Sequence, residues 1–119
     1  TSEGAIAKSI AVMINDKPVV IVLAGDRKLD NHKFKEEFRV KARMISYEET
    51  EALIGHAPGG VCPFGLNDEV SVYLDESLKE HEYVYPACGS SNSAIKLSID
   101  EIEKFSNPVK WVDVGKVME

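Results

Sequence analysis

The sequence predicts an α+β domain built on a mixed, barrel-like β-sheet with short flanking helices. Three observations carry this: short β-branched runs outnumber helical stretches, they arrive in hairpin-like groups, and two Ser-x-x-Glu signatures each open a short amphipathic segment. Ser9 to Ile14 and Pro18 to Ala24 are apolar runs separated by Asn15-Asp16-Lys17, which is turn chemistry, so they read as a hairpin. Val19 to Leu23 has no polar alternation, which predicts a strand covered on both faces. Gly25-Asp26 breaks that strand, and Asp30 or Asn31 can cap a helix with Phe34 and Phe38 on one face. After an extended piece at Ala42 to Ile45, Ser46 to Glu49 forms a capping box for a two-turn helix ending at Gly55. Ser98 to Glu101 repeats the signature, with Ile102 and Phe105 on the helix and Asn107-Pro108 as its stop. Val70 to Leu74, Tyr83 to Ala87 and Ala94 to Leu97 read as short strands, and Val109 to Val114 as a closing one.

A chain of 119 residues suits one domain, which buries about two-thirds of the surface its unfolded form exposes. Its 44% hydrophobic and 29% charged residues are an ordinary globular balance. The net charge of -6 argues against a long basic groove that grips nucleic acid by its phosphates, and leaves room for a protein that engages only the tip of one. The longest apolar run, Pro18 to Ala24, is too short to cross a bilayer, so no membrane partner is expected and the cytoplasm is the expected location. Cys62 and Cys88 form no metal-type doublet, and His32, His56 and His81 share no ligand spacing. Neither a metal nor another cofactor is expected. The chain opens at Thr1 with its first strand beginning almost at once, which suggests a segment missing from the N-terminus.

The least ordinary stretch is His56 to Gly65, where two prolines and three glycines in ten residues must form a shaped loop. Gly59-Gly60 lets backbone N–H groups approach a ligand closely, the means of stabilising an oxyanion, although spacing alone favours a structural turn. Ala87 to Ser93 is a second loop of small residues, equally readable as a polar ligand wall or a solvated connection. Asp26 and Asp30 read first as turn and cap residues, and Lys8 on its own as a solvated charge. No Ser-His-Asp arrangement and no phosphate-binding Gly-rich loop is present.

Taken in order, Ile6 to Ile10, Gly25 to Asp30, Gly55 to Gly65, Leu74 to Leu78 and Ala87 to Gly89 resemble the YbaK/ProX-type aminoacyl-tRNA deacylases, whose domain is also inserted in bacterial prolyl-tRNA synthetases. The resemblance spans nearly the whole chain and makes residues 1–119 one such domain, lacking the family's usual N-terminal helix and strand. It implies a hydrolase that cleaves the ester of a mischarged tRNA carrying Cys, Ala or Ser, of proline type. Its partners would be the aminoacyl-tRNA acceptor end and an aminoacyl-tRNA synthetase.

By the same likeness Lys8 contacts the acyl or terminal-adenosine end, while Gly59, Gly60 and Val61 give backbone N–H groups to the carbonyl. Gly89 and Ser90 form the opposite wall, and Ser9, Asp26, Cys62, Pro63, Phe64 and Cys88 complete the substrate-binding set. The nucleophile implied is a substrate hydroxyl, a thiol or water. Where relatives that edit alanine often carry Pro-His, this chain has Ser93-Ala94, so the resemblance does not fix the amino acid. A different class of reading is a binding module that keeps the pocket without turnover. A thiol-based redox or metal role for Cys62 and Cys88 has little support in their spacing.

Overall fold

The computed structural model describes residues 5–55, 63–86 and 96–118. β1 (Ile6–Ile14) and β2 (Lys17–Ala24) form a hairpin in unbroken antiparallel register from Ala7 opposite Ala24 to Ile14 opposite Lys17. The turn is two residues long rather than three. Asn15 and Asp16 both hold positive φ, 51° and 64°, the mirror-image turn whose twist suits a hairpin, and Lys17 already belongs to the strand.

Sheet order is β7-β6-β1-β2-β5-β8, with β4 (Arg43–Met44) also on β1. β5 (Ser71–Asp75) lies parallel to β2, β8 (Lys110–Val112) parallel to β5, and β6 (Tyr83–Pro86) parallel to β1, whereas β7 (Leu97–Ser98) returns antiparallel to β6. The sheet is therefore mixed, and it curls as a half-barrel. β2 is its centre, and every residue from Pro18 to Ala24 is buried, as an apolar run without alternation requires.

Alternation along β1 and β2 divides the core in two. Ala7, Ala11, Val20 and Val22 face one cluster, closed by Ile54 of α2 (Tyr47–Ile54), Leu78 and Ile102 of α3 (Ile99–Ser106). Val12, Ile14, Val19, Ile21 and Leu23 face the other, covered by Phe34 of α1 (Asn31–Phe38). Phe34 stacks on Phe38 at 4.7 Å, and Phe38 meets Tyr73 edge-on at 5.0 Å.

The helix starts follow from local chemistry. Asp30 caps α1 by accepting from the N–H groups of His32 and Lys33 at 2.9 and 3.0 Å, which lowers its carboxyl pKa. Ser98 and Glu101 close a full capping box on α3. At α2 only half of the expected box forms, because Glu49 accepts from the Ser46 hydroxyl instead of the cap N–H. Phe105 departs from expectation too: it is 56% exposed, and α3 packs on the core through Ile99 and Ile102. A two-stranded ribbon, β3 (Arg27–Leu29) with β9 (Gly115–Val117), lies outside every expected strand.

Candidate functional site

β1 carries Lys8 and Ser9 where its two edges differ. One edge is fully laddered to β2; the other meets β6 at Ile6 and Ala7, and β4 at Val12 and Met13. Among the described residues no strand lies beside Lys8 to Ala11 on that edge. A cavity of about 420 Å³ opens there between Ser9, Ile10 and Ala11, the Met44-Ile45 segment, and Tyr47 and Thr50 of α2.

Lys8 and Ser9 project from opposite faces. Lys8 is paired with Leu23, which belongs to the core beneath α1, and Ser9 with Val22, which belongs to the core beneath α2 and α3. The Ser9 hydroxyl oxygen is buried without a hydrogen-bond partner. Lys8 is half-buried, its Nζ 3.8 Å from the thioether sulfur of Met118 and, among the described residues, without a carboxylate in ion-pair range. A weak acceptor leaves that ammonium charge unneutralised.

The β3–β9 ribbon brings Met118 to Lys8. Its register sets Arg27 opposite Val117 and Leu29 opposite Gly115, and the Met118 N–H donates to the Asp26 carbonyl at 3.0 Å, carrying the ladder one step further. The Asp26 carboxylate lies 3.3 Å from Arg27 Nε, an ion pair without hydrogen-bond alignment. Arg27 also binds Glu80, whose hydrogen bond is the chief cause of the raised guanidinium pKa. It is the Asp26 carbonyl, through the Met118 N–H, that ties this turn to the segment reaching Lys8.

A buried polar knot fixes the ribbon to the sheet. Asp75, 1% exposed, accepts from the N–H of Val114 at 2.8 Å and from that of Ser77 at 3.0 Å, and Ser77 Oγ accepts from Ala24 N–H at 3.1 Å. The ends of β2 and β5, the 3-10 helix Glu76–Glu80 and the entry to β9 meet at these two side chains. Gly115 packs against them so closely that a Cβ would sit 2.8 Å from Leu23 Cδ2 and 3.1 Å from Asp75 Oδ2. The Leu74 to Leu78 motif is therefore structural. An Asp two residues before a Ser is the sequence signal for it, since that spacing caps the 3-10 turn.

The two small-residue loops depart from this framework. Gly55 ends α2 at φ +100°, and a Cβ there would meet Asn67 Oδ1 at 2.9 Å. Asn67 returns to the same helix end, donating from its backbone to the Ile54 carbonyl and from its side chain to the Ala52 carbonyl, both at 3.1 Å. Pro63 is buried and Phe64 packs against the core beneath α2 and α3, on the Ser9 side of the sheet. Pro86, the last described residue before 87–95, pairs with Ala7, next to Lys8. Gly59, Gly60, Val61, Cys62, Cys88, Gly89 and Ser90 lie outside the described residues. Among the described residues no three His, Cys, Asp or Glu side chains group as metal ligands, and no helix is long and apolar enough to cross a membrane.

Residues 1–105 match the model of the aminoacyl-tRNA editing domain. The chain is 50% identical to "Uncharacterized protein YwhH" of Bacillus subtilis, over 96% of its own length and 73% of that protein's. It is 28% identical to "Putative Cys-tRNA(Pro)/Cys-tRNA(Cys) deacylase EbsC" of Enterococcus faecalis, over 88% of its own length and 65% of that protein's. Proline–tRNA ligases also match, that of Shouchella clausii at 33% identity over 74% of this chain and 15% of the ligase. Among solved structures, "a putative trans-editing enzyme for prolyl tRNA synthetase" superposes with a TM-score of 0.86 at 26% identity, covering 98% of this chain and 73% of that one.

Proposed function

The chain belongs to the aminoacyl-tRNA editing domain family, and from that premise we propose that it is a trans-editing hydrolase that deacylates a mischarged tRNA. The observation that carries the reading is Lys8, a half-buried residue whose ammonium has no carboxylate partner among the described residues, on the open edge of β1 next to Ala7, the partner of Pro86. A cation so placed is worth most where negative charge develops. The name of EbsC supports cysteine on a proline-type tRNA, and that of the trans-editing enzyme supports the prolyl system; alanine and serine are carried by the sequence resemblance alone.

In this reading a water or a substrate hydroxyl or thiol attacks the ester carbonyl. The bond to the terminal ribose oxygen breaks and that oxygen takes up the proton the nucleophile gives up, so the tRNA leaves with its hydroxyl restored. The acyl group leaves as the free amino acid when water attacks, or as its cyclic ester or thioester when its own hydroxyl or thiol does. Lys8 stabilises the charge at the reacting end, and the N–H groups of Gly59, Gly60 and Val61 bind the carbonyl oxygen. Gly89, Ser90, Cys62 and Cys88 wall the pocket, and Ser9, on the face of β1 opposite Lys8, offers its unbonded hydroxyl from the side that Pro63 and Phe64 pack. Asp26 contributes through its carbonyl, which holds the segment reaching Lys8. Residues 1–119 act as one domain, in the cytoplasm where tRNA is charged, with the acceptor end as ligand and a synthetase as docking partner.

The test is hydrolysis of a panel of tRNAs charged with cysteine, alanine, serine and proline. Selective release of a small non-cognate amino acid supports the reading. Binding of aminoacyl-adenosine with no release from any tRNA would instead make the domain a binding module.

A further inference from the structure

The net charge of -6 conceals a sharp segregation. Seven of the fourteen Lys and Arg lie within residues 27–43, against three of the twenty Asp and Glu, so an acidic protein carries one strongly basic stretch. The fold places that stretch as β3 and α1, beside Lys8.

Lys28 and Lys116 stand directly opposite each other across the β3–β9 ribbon. Both are exposed, and neither makes an ion pair among the described residues. Opposed side chains in such a pair have Cβ atoms about 5 Å apart, and like charges there destabilise the ribbon. The two carboxylates nearest Lys28 by sequence, Asp26 and Asp30, are both engaged elsewhere, Asp26 with Arg27 and Asp30 with the N–H groups that start α1, although Asp30 also feels the charge of Lys116. Arg27 and Lys33, by contrast, are tied to Glu80 and Asp113. Past Asp30, α1 borders two shallow depressions, one lined by Asn31, His32, Lys35, Lys41 and Ala42 and the other by His32, Lys35, Glu36 and Arg39, with Glu36 paired to His32. Lys35, Arg39 and Lys41 are also exposed and without ion pairs among the described residues.

Direction matters as much as charge. By strand alternation Lys28, Lys116 and Met118 share the outward face of the ribbon, and Met118 is the side chain that touches Lys8 Nζ. Lys28 and Lys116, neither in an ion pair among the described residues, therefore sit on the same ribbon face as the side chain that reaches Lys8. We infer that this face, centred on Lys28 and Lys116 and extended by Lys35, Arg39 and Lys41, docks the phosphate backbone of the acceptor stem while the aminoacyl end reaches Lys8. The inference rests on the deacylase reading above. A polyanion supplies what the opposed lysines lack, and phosphate contacts fix register without reading sequence.

The experiment measures binding of an uncharged acceptor-stem RNA hairpin by fluorescence anisotropy between 50 and 200 mM salt. A Lys28→Gln/Lys116→Gln double variant should bind more weakly, with the slope of log affinity against log salt shallower by about 1 to 2. Lys104→Gln, which removes an exposed cation from α3 beneath the opposite face, should leave that slope unchanged. The double variant should keep or slightly raise the thermal midpoint, since it relieves a repulsion. With charged tRNA its defect should lie in KM, and aminoacyl-adenosine, which has no phosphate to hold, should be hydrolysed as by the parent. An unchanged slope, or an equal change in the Lys104 variant, overturns the inference. Should no aminoacyl ester be hydrolysed at all, the deacylase reading falls, and the hairpin titration still decides whether this face binds RNA.

Discussion

Replacing Asp75 should cost more stability than almost any other polar substitution among the described residues. Each of its carboxylate oxygens takes one backbone N–H, Oδ1 from Val114 and Oδ2 from Ser77, in a site 1% exposed. A hydrogen bond to a charged group contributes about 1.5–3 kcal/mol, and a buried donor left without a partner loses its hydration as well. Asp75→Ala strands both donors and opens space beside Leu23 and Gly115, so a loss of about 3–5 kcal/mol is expected. Asp75→Asn keeps one acceptor and turns an NH₂ toward the other N–H, so about 2–3 kcal/mol is expected. Against a total stability of about 5–15 kcal/mol the alanine variant would be marginal. Urea unfolding followed through Trp111 on β8 measures both values, and the asparagine variant keeps the test informative if the alanine variant does not fold. A loss under about 1 kcal/mol in both variants would refute the knot as the anchor of the β3–β9 ribbon.

Two smaller predictions follow from local geometry. Asp16→Gly should stabilise the hairpin by up to about 1 kcal/mol, because Asp16 holds φ 64° and its contact with Arg43, 4.0 Å away on a fully exposed side chain, contributes little; a clear loss in the urea midpoint would contradict this. Asp30→Asn should flatten the acid limb of the stability profile. The lowered pKa of Asp30 means that its cap contribution is present above about pH 4 and lost as pH falls through the native value, whereas an amide caps at all pH. Urea midpoints between pH 2 and 5 test it, and an unchanged slope in the variant would count against the cap.

Much of the fold was legible because its signals are local. Asp30, Ser46 and Ser98 announce helix starts through N–H groups two or three residues away, and Val19 to Leu23 announces a central strand by lacking polar residues. The β3–β9 ribbon was not legible, since strands of three residues pair across some ninety positions and neither has an apolar pattern. The Ser77 and Asp75 knot escaped for the same reason, although its family motif was visible. Lys8 is unremarkable by composition and draws its candidacy from the family resemblance; the fold adds its neighbours, the Met118 sulfur and the Ala7–Pro86 pair, which no local signal announces. Net charge misled in one respect: an average over the whole chain hides the basic stretch at residues 27–43.

The central claim, that this domain hydrolyses a mischarged tRNA with Lys8 at the reacting end, is tested most directly by single-turnover deacylation of proline tRNA charged with cysteine or alanine, comparing the parent with Lys8→Ala. Lys8 Nζ touches only a thioether sulfur among the described residues, so the substitution should leave stability within about 1 kcal/mol. The account predicts a rate loss on the order of 100-fold or more, about 2.7 kcal/mol of transition-state stabilisation, in a variant with an unchanged unfolding midpoint. A folded Lys8→Ala variant that releases the amino acid at near the parent rate would contradict it.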